Sequence, residues 1–544
     1  MKTQLLLIAI LFFAKIFNAN AQSSQEWARI YNGSGNGNDQ AAAIVQDASG
    51  NIIVTGRAVS TGNNNDFCTI KYSSAGIQQW AVTYNGPGNG YDEAVGLATD
   101  NSGNIYVAGY TLNSISNYDI ALVKYNSDGI QQWVKILSGS GNLDDVPYAI
   151  NCDNSGNILV TGNTQITGLN SNYITLKYNA AGDLLWERQY NNPIDRSDIP
   201  HYIKTDQAGN VYVTGTSIAQ NTGSDFLTIK YNSNGDSLWT ARYSGTTEIN
   251  EIPQGLAVDQ SGNVYVTGFS RGASNSTDFA TIKYNPDGIR QWVAIYDTTG
   301  QQDIPEDIEV DGDGNVYVTG RSRVSNSYND IATIKYNTNG VRQWIAIYDN
   351  KPESRDDQGT DLILDGQGNV YVTGYSQESG TNNDVVTLKY NSSGEQQWLA
   401  RYDVTNSEEA YAIILDNANN VYVTGYQSSG GSDFLTIKYS QSVGIQQSSI
   451  ERPADFRLNQ NYPNPFNPVT NLGFVISKNG PPHRIVSLKV YDIQGEEVAT
   501  LVNEDLPAGE YRYVFDGANL SSGVYYYILE AGKFSETKSM LLLK

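Results

Sequence analysis

The sequence predicts an all-β chain: an eight-bladed β-propeller of four-stranded blades, followed by a C-terminal immunoglobulin-like β-sandwich. Three observations carry this reading. The eight tryptophans, Trp27, Trp80, Trp133, Trp186, Trp239, Trp292, Trp344 and Trp398, follow one another at steps of 52 to 54 residues. A D-x-x-G-N turn recurs eight times, at Asp47, Asp100, Asp153, Asp206, Asp259, Asp311, Asp365 and Asp416, and a Lys-Tyr pair recurs eight times, from Lys71-Tyr72 to Lys438-Tyr439. A fixed period of this length, filled with short strand signals, marks a stack of supersecondary units.

The elements follow in chain order. Lys2, the apolar run from Leu5 to Phe17 and the small-x-small step Ala19-Asn20-Ala21 read as a secretory signal over residues 1–21. Each repeat then carries four strand signals. In the fifth these are GLAVD ending at Asp259, NVYVTG after the turn, DFATIKY after a Ser/Asn/Gly loop, and the strand bearing Trp292 after N-P-D-G. The last D-x-x-G-N copy has Asn419 in place of glycine, and asparagine also tolerates positive φ. No stretch has a helical period. Four antiparallel strands repeated radially solve the exposed-edge problem. The repeat begins out of phase, with a tryptophan strand, and ends with three strands and Ser448 where tryptophan is due. The strand around Trp27 is therefore expected to supply the outer strand of the eighth blade, giving a propeller over residues 22–445. A linker over 446–457 follows, then alternating strands with Gly/Pro/Asn turns over 458–544. Pro463, Pro465 and Pro468 predict a stiff, extended lead-in to this sandwich.

The G-N-x-Y-V-T-G core resembles the bacterial beta-propeller repeat family. Its strand order looks like that of kelch propellers. The turn-plus-tryptophan segments NSDGIQQW and NPDGIRQW are similar to the docking motif of eight-bladed quinoprotein propellers, which implies that the eight tryptophans pack against neighbouring blades. Adjacent cysteines, part of some quinoprotein sites, are absent, so no quinone cofactor is implied. Residues 458–544, with Y-P-N-P-F-N-P, V-Y-D-x-x-G-x-x-V, A-G-x-Y and L-x-S-G-V-Y-x-Y, resemble the type A C-terminal sorting domain of the type IX secretion system. That resemblance implies export by the type IX machinery to the surface of, or beyond, a Gram-negative outer membrane.

Composition limits the partners. The chain has 57 acidic against 34 basic residues and a net charge of −23; loss of the signal would remove two lysines and no acid. Such a chain repels nucleic acid and anionic membrane, and no later run is long enough for a transmembrane span. Cys68 and Cys152 sit at apolar positions of different blades and read as buried thiols. His201 and His483 lie in different domains, and His201 reads as a rim residue.

An acid stands eight residues before each turn aspartate: Asp39, Asp92, Asp145, Asp198, Glu251, Asp303, Asp357 and Glu408. The set reads either as blade-building hydrogen-bond acceptors or as a ring at the channel mouth that attracts cations. Asp311-Gly-Asp313-Gly-Asn315 resembles the start of a calcium loop but lacks its later ligands. No cofactor is expected beyond calcium at such a site. No nucleophile elbow, zinc motif or phosphate loop is present, and the loops lack the long, unlike insertions of an asymmetric active site. The expected function is a non-catalytic binding module for a glycan or protein ligand, using a loop face rich in Asn, Ser and Gly with Tyr91, Tyr118, Tyr173 and Tyr328. The alternatives are a secreted polysaccharide- or peptide-degrading hydrolase or lyase with paired carboxylates, and a structural surface scaffold.

Overall fold

The computed structural model describes residues 23–441, 446–449 and 455–543, apart from short stretches at 63, 114–116, 140–142, 168–169, 221, 246–249, 272–275, 299, 325–327, 351–354, 378–381, 405, 479–484, 507 and 518–519. The expected signal segment lies outside the described residues. Every described element is a strand. The chain forms two compact units, Ser23–Ser440 and one beginning at Gln441.

The larger unit contains eight four-stranded antiparallel sheets among the described residues. The first takes Gln40–Gln46, Ile52–Val59, Asn65–Tyr72 and Gln78–Tyr84 in spatial order, and six more repeat this plan through Tyr402. The eighth takes Ser407–Leu415, Val421–Ser428 and Ser432–Gln441, and its fourth strand is Ser23–Tyr31 from the other end of the repeat region. First strands of consecutive sheets touch one another in turn, and Ser407–Leu415 touches Gln40–Gln46. The contacts therefore close into a ring, the arrangement of a propeller.

The repeated residues explain the repeated geometry. In the first turn Asp47 Oδ1 accepts the Ser49 and Asn51 N–H groups at 2.9 Å, and Asn51 Nδ2 donates to Oδ2 at 2.9 Å. This ties the turn locally, and in the eighth sheet Asn419 adopts a φ of 59° at the glycine position. Each first strand carries a bulge, as between Ala41 and Ala43 in the first sheet. There the Gln40 carbonyl would lie 2.0 Å from a Cβ on Gly56, so the glycine of V-T-G is required by close approach.

The tryptophans join sheet to sheet. Seven of them, Trp27 through Trp344, donate Nε1–H to a carbonyl 46 to 48 residues away in the next sheet, at 2.9–3.3 Å. The indole lies over the next sheet's turn glycine, where a Cβ on Gly129 would come 2.7 Å from Trp80. Trp398 is the exception: it is buried, but its N–H has no acceptor among the described residues.

Lys and Tyr cooperate in a second repeated contact. In six sheets a second-strand tyrosine (Tyr106, Tyr212, Tyr265, Tyr317, Tyr371, Tyr422) has a lysine of the Lys-Tyr pair 4.9–5.5 Å from its ring centre. Tyr106, for example, donates its hydroxyl to turn residue Asp100 at 2.8 Å. The first and third sheets have Ile53 and Leu159 there instead. Without the ring, the lysine reaches the turn carboxylate directly, as Lys71–Asp47 at 2.9 Å and Lys177–Asp153 at 2.8 Å, nearly excluded from solvent. Burial alone would raise Asp47 and Asp153, but the lysine and asparagine contacts outweigh it and hold both carboxyls below their ordinary value.

The C-terminal unit has two four-stranded sheets among the described residues. Leu472, Phe474 and Ile476 from one and Val486, Leu488 and Tyr527 from the other share a single apolar core. Part of the expected linker belongs to this unit: Gln446–Ser449 pairs with Gly509–Asp516, because the chain has an open sheet edge to satisfy there. The proline segment is not a straight lead-in either. Two of its peptide bonds, Tyr462–Pro463 and Asn464–Pro465, are cis, and Tyr462 bridges to Asn471. No described helix is long and apolar enough to cross a membrane.

Candidate functional site

The eight acids at the start of the first strands do not open onto a channel mouth. All eight are fully buried. A buried carboxylate must find donors, and these find them mainly in the preceding loop and at the end of the second strand. Asp92 accepts Gly86 N–H at 2.7 Å, Thr111 Oγ1–H at 2.6 Å and Leu112 N–H at 3.0 Å. Asp39 binds Gly33 and Val59, Asp145 binds Gly139, and Asp198 binds Asn192 in the same manner. Glu251 takes Gly245 and Ser270, Asp303 takes Thr298 and Ser322, and Asp357 takes Asn350. Glu408 is buried in the same position of the eighth sheet. Burial pushes the carboxyls of Asp39, Asp145, Asp198 and Asp303 above their ordinary value, and those of Glu251 and Asp357 up to about 7.

The Asp311 turn leaves little for an ion. Asp311 Oδ1 accepts Asp313 N–H at 3.0 Å and Asn315 N–H at 2.8 Å, while Oδ2 accepts Asn315 Nδ2 at 2.8 Å and the Tyr317 hydroxyl at 3.0 Å. The sister turns at Asp100, Asp206, Asp259, Asp365 and Asp416 have the same bonds without a second aspartate. The expected loop-face tyrosines separate. Tyr173 is fully buried, its hydroxyl 3.4 Å from the Leu227 carbonyl, whereas Tyr328 is exposed and Tyr91 and Tyr118 are half-buried. Cys68 is buried and Cys152 half-buried, both as free thiols.

The site that emerges lies where the sheets break their own repeat. At the loop end, the first residue of the bulged segment pairs with the residue after V-T-G. In four consecutive sheets of the ring these pairs are polar: Gln358–Tyr375, Glu409–Tyr426, Gln40–Arg57 and Glu93–Tyr110. In the other four the first-strand partner is aliphatic: Val146, Ile199, Ile252 or Ile304. Half of the ring's rim is thus a polar and aromatic arc.

Hydrogen bonds run along this arc from sheet to sheet. Gln358 donates to Glu306 at 2.9 Å and accepts from Arg321 at 2.7 Å. Asn383 donates to Glu409 at 2.6 Å, and Gln40 donates to the Tyr411 hydroxyl at 2.7 Å. Arg57 donates to Gln40 at 2.7 Å, Tyr91 at 2.9 Å and Glu93 at 3.0 Å. Glu93 also accepts the Tyr91 and Tyr110 hydroxyls at 2.6 and 2.8 Å. The rings of Tyr91 and Tyr110 stack at 6.2 Å, and Tyr118 meets Tyr110 edge-on at 5.0 Å. Burial, then the carboxylate partners Glu93 and Glu409, keep the Tyr110 and Tyr411 hydroxyls protonated far above neutral pH. Three donors hold Glu93 as a fixed acceptor. The arc presents half-buried ring faces, amides and a guanidinium on a prearranged frame, which suits a polar ligand with ring surfaces.

Lys204 of the fourth sheet and Glu309 of the sixth, which are not neighbours in the ring, approach to 3.7 Å. His201 faces Tyr148 with ring centres 5.6 Å apart, and burial holds its imidazole down at about 4. Asp307 and Asp361 stand at a position that holds Ala, Gly or Tyr in the other sheets. Burial raises both carboxyls; the charge of Asp361 raises Asp307 further, while the hydrogen bond from Asp307 favours the ionised form of Asp361, so the pair retains a proton on Asp307. Both are engaged by the next sheet: Asp307 accepts Leu362 N–H at 3.1 Å and Asp361 accepts Ile413 N–H at 2.8 Å. Sequence reading missed the arc and this pair because it searched for positions filled in every repeat.

Comparison with known proteins agrees with the architecture. Residues 81–115, 132–170, 239–279, 291–327 and 353–380 match the beta-propeller repeat, and residues 460–543 match the secretion system C-terminal sorting domain. An uncharacterized WD repeat-containing protein of Acanthamoeba polyphaga mimivirus is 24% identical over 407 residues, covering 65% of this chain and 25% of that protein. The chain therefore spans only a quarter of that relative's length. Among solved structures, a fungal alcohol oxidase of the AA5 family in complex with copper is 11% identical with a TM-score of 0.40, covering 96% of this chain and all of the other. A protein of unknown function from Bacteroides caccae is 14% identical with a TM-score of 0.32, covering 52% and 89%. Neither likeness bears on activity. The chain carries beta-propeller repeats and, over residues 460–543, a type IX secretion system C-terminal sorting domain.

Proposed function

We propose that this is an exported surface protein whose eight sheets form an eight-bladed propeller, and that the propeller binds a glycan at the tyrosine-lined arc. In this reading residues 1–21 are a cleaved signal, the C-terminal unit is an immunoglobulin-like sandwich read by the type IX machinery, and the mature chain is carried to the cell surface or released. The observation that carries the binding role is the confinement of polar and aromatic pairs to four adjacent sheets. A purely structural repeat has no reason to concentrate Tyr91, Tyr110, Tyr375, Tyr411 and Tyr426 on one side of its rim. Neutral sugars offer apolar ring faces and hydroxyls in the combination that such a surface accepts. Rings already fixed by hydrogen bonds lose little freedom on binding.

The test is a glycan screen on the exported chain, read as a saturable rise in melting temperature and repeated with Tyr110→Ala. A hit weakened ~tenfold or more by that substitution, the loss expected for a central aromatic anchor, supports the reading. A hit unaffected by Tyr110→Ala places the ligand elsewhere. No glycan response, with a protein partner captured through the same face, would replace the glycan with a protein ligand.

A further inference from the structure

Building on the glycan reading of the arc, we propose that its ligand is a linear, uncharged polysaccharide chain laid across the seventh, eighth, first and second sheets in turn, and neither a single terminal sugar nor an acidic glycan. The tyrosines of the arc are half-buried, and their hydroxyls are committed to the frame. Tyr375 donates to Gln358 at 3.1 Å, Tyr411 to Glu409 at 3.1 Å, and Tyr91 and Tyr110 to Glu93 at 2.6 and 2.8 Å. What such a residue has left for a ligand is its ring, and a ring face pairs with the apolar face of a sugar. The cations of the arc are committed too. Arg57 is paired with Glu93 at 3.0 Å, and Arg321 donates to Gln358 at 2.7 Å while its charge acts on Glu306. A uronate or sulfate would have to take a guanidinium from its present partner, on a chain of net charge −23. Like charge and a lost ion pair both count against it.

The layout of the rings argues for a chain. Tyr375 stands in the seventh sheet, Tyr411 and Tyr426 meet in the eighth with ring centres 5.9 Å apart, and Tyr91 stacks on Tyr110 in the second. The first sheet, between the last two, presents Gln40 and Arg57. Aromatic platforms thus alternate with an amide and a guanidinium along one line. Hydrogen bonds fix the spacing of the line at each sheet boundary: Asn383 to Glu409, Gln40 to Tyr411, and Arg57 to Tyr91. Stacked sheets pack about 10 Å apart, so the outermost platforms are separated by roughly 20–30 Å. One sugar covers one platform; only a chain reaches the first and the last. A ligand that joins several weak platforms gains affinity because each later contact is intramolecular.

The experiment is calorimetric titration of the exported chain with cello-, xylo- and malto-oligosaccharides from dimer to octamer, and with oligogalacturonates of the same lengths. Affinity for at least one neutral series should rise ~tenfold or more from dimer to octamer, and the oligogalacturonate of equal length should bind at least ~tenfold more weakly. Tyr375→Ala and Tyr110→Ala, at the two ends of the arc, should each weaken the octamer at least ~tenfold. Tyr375→Phe, which restores the ring without the hydroxyl, should recover the affinity lost in Tyr375→Ala. The dimer, too short to span the arc, should respond to at most one of the two alanine substitutions. A dimer that binds as tightly as the octamer would overturn the linear chain, and an oligogalacturonate that binds as tightly as its neutral counterpart would overturn the uncharged one. In either case a loss in Tyr110→Ala would leave the glycan reading standing. No response to any series, or an octamer indifferent to both alanine substitutions, would overturn the two together. The length and charge comparisons use the unaltered chain, so they decide the matter if an alanine variant fails to unfold cooperatively.

Discussion

Replacing Glu251 by glutamine should remove a pH dependence of stability that the wild-type chain carries. Glu251 is fully buried; its Oε1 takes Gly245 N–H at 2.5 Å and Ser270 Oγ–H at 3.1 Å, and its Oε2 has no donor among the described residues. Burial raises the carboxyl from 4.5 to about 7. The folded chain therefore holds this proton more tightly than the unfolded chain. Stability from this group is complete below about 4.5 and declines as pH rises, until both states are ionised above about 7. The shift corresponds to about 3 kcal/mol. Glutamine has no proton to lose, so the difference in unfolding free energy between Glu251→Gln and wild type should change by about that amount across this window, in favour of the variant at higher pH. The amide leaves its NH2 without an acceptor, an offset of about 1–3 kcal/mol that does not vary with pH. The assay is urea unfolding of both proteins at half-unit pH steps from 4 to ~8.5, spanning the window set by the shift. A difference that stays flat with pH would refute the reasoning.

The sheet-to-sheet contacts give sharper contrasts. Lys71→Met should destabilise by about 3 kcal/mol, because Asp47 is left buried without its partner; Lys283→Met, which removes a cation–π contact with Tyr265, should cost only about 0.5–1 kcal/mol. Trp186→Phe gives up the 3.1 Å hydrogen bond to Ser233, whereas the Trp398 N–H meets no acceptor among the described residues, so denaturation midpoints should show Trp186→Phe costing about 1 kcal/mol more than Trp398→Phe. Gly129 and Gly103 have φ of 78° and 77°, but a Cβ on Gly129 meets Trp80 at 2.7 Å while one on Gly103 finds nothing nearer than 3.8 Å. Alanine should therefore cost about 1 kcal/mol at Gly103 and well over twice that at Gly129, measured by melting temperature.

The fold was legible because its signals are local and repeated. A positive-φ glycine, a turn aspartate and a tryptophan recur at one spacing, and each does the same task in sheet after sheet. The acids were legible as a set but not as to their place. Periodicity located them at the start of the first strands, yet only the loop before them shows whether a carboxylate meets water or backbone N–H groups. Gly33, Gly86 and Asn192 supply those donors from six positions upstream. The alternation of Lys–Asp ion pairs with Lys–Tyr–Asp contacts was also written in the sequence, as Ile53 and Leu159 against six tyrosines. Its meaning required the distance from lysine to carboxylate. The linker was misplaced because Gln446–Ser449 has no strand-like composition and is held by its partner, not by its own propensity.

In a repeat protein the residues that act are best sought where the repeat fails. Selection for stacking fixes the same side chain in every sheet, so a position filled eight times carries little information about a single ligand. Gln40–Arg57, Glu93–Tyr110, Gln358–Tyr375 and Glu409–Tyr426 break the rule in adjacent sheets, and the aliphatic partners Val146, Ile199, Ile252 and Ile304 occupy the remainder. Drift at one position would scatter such changes around the ring. Their clustering, and the side-chain hydrogen bonds that link them across sheet boundaries, mean that the four sheets are matched to one another at the rim. Asp307 with Asp361 is a departure of the same kind elsewhere on the first strands. The chain's regular part makes a rigid closed frame, and its irregular part sets apart the positions at which that frame can distinguish one partner from another.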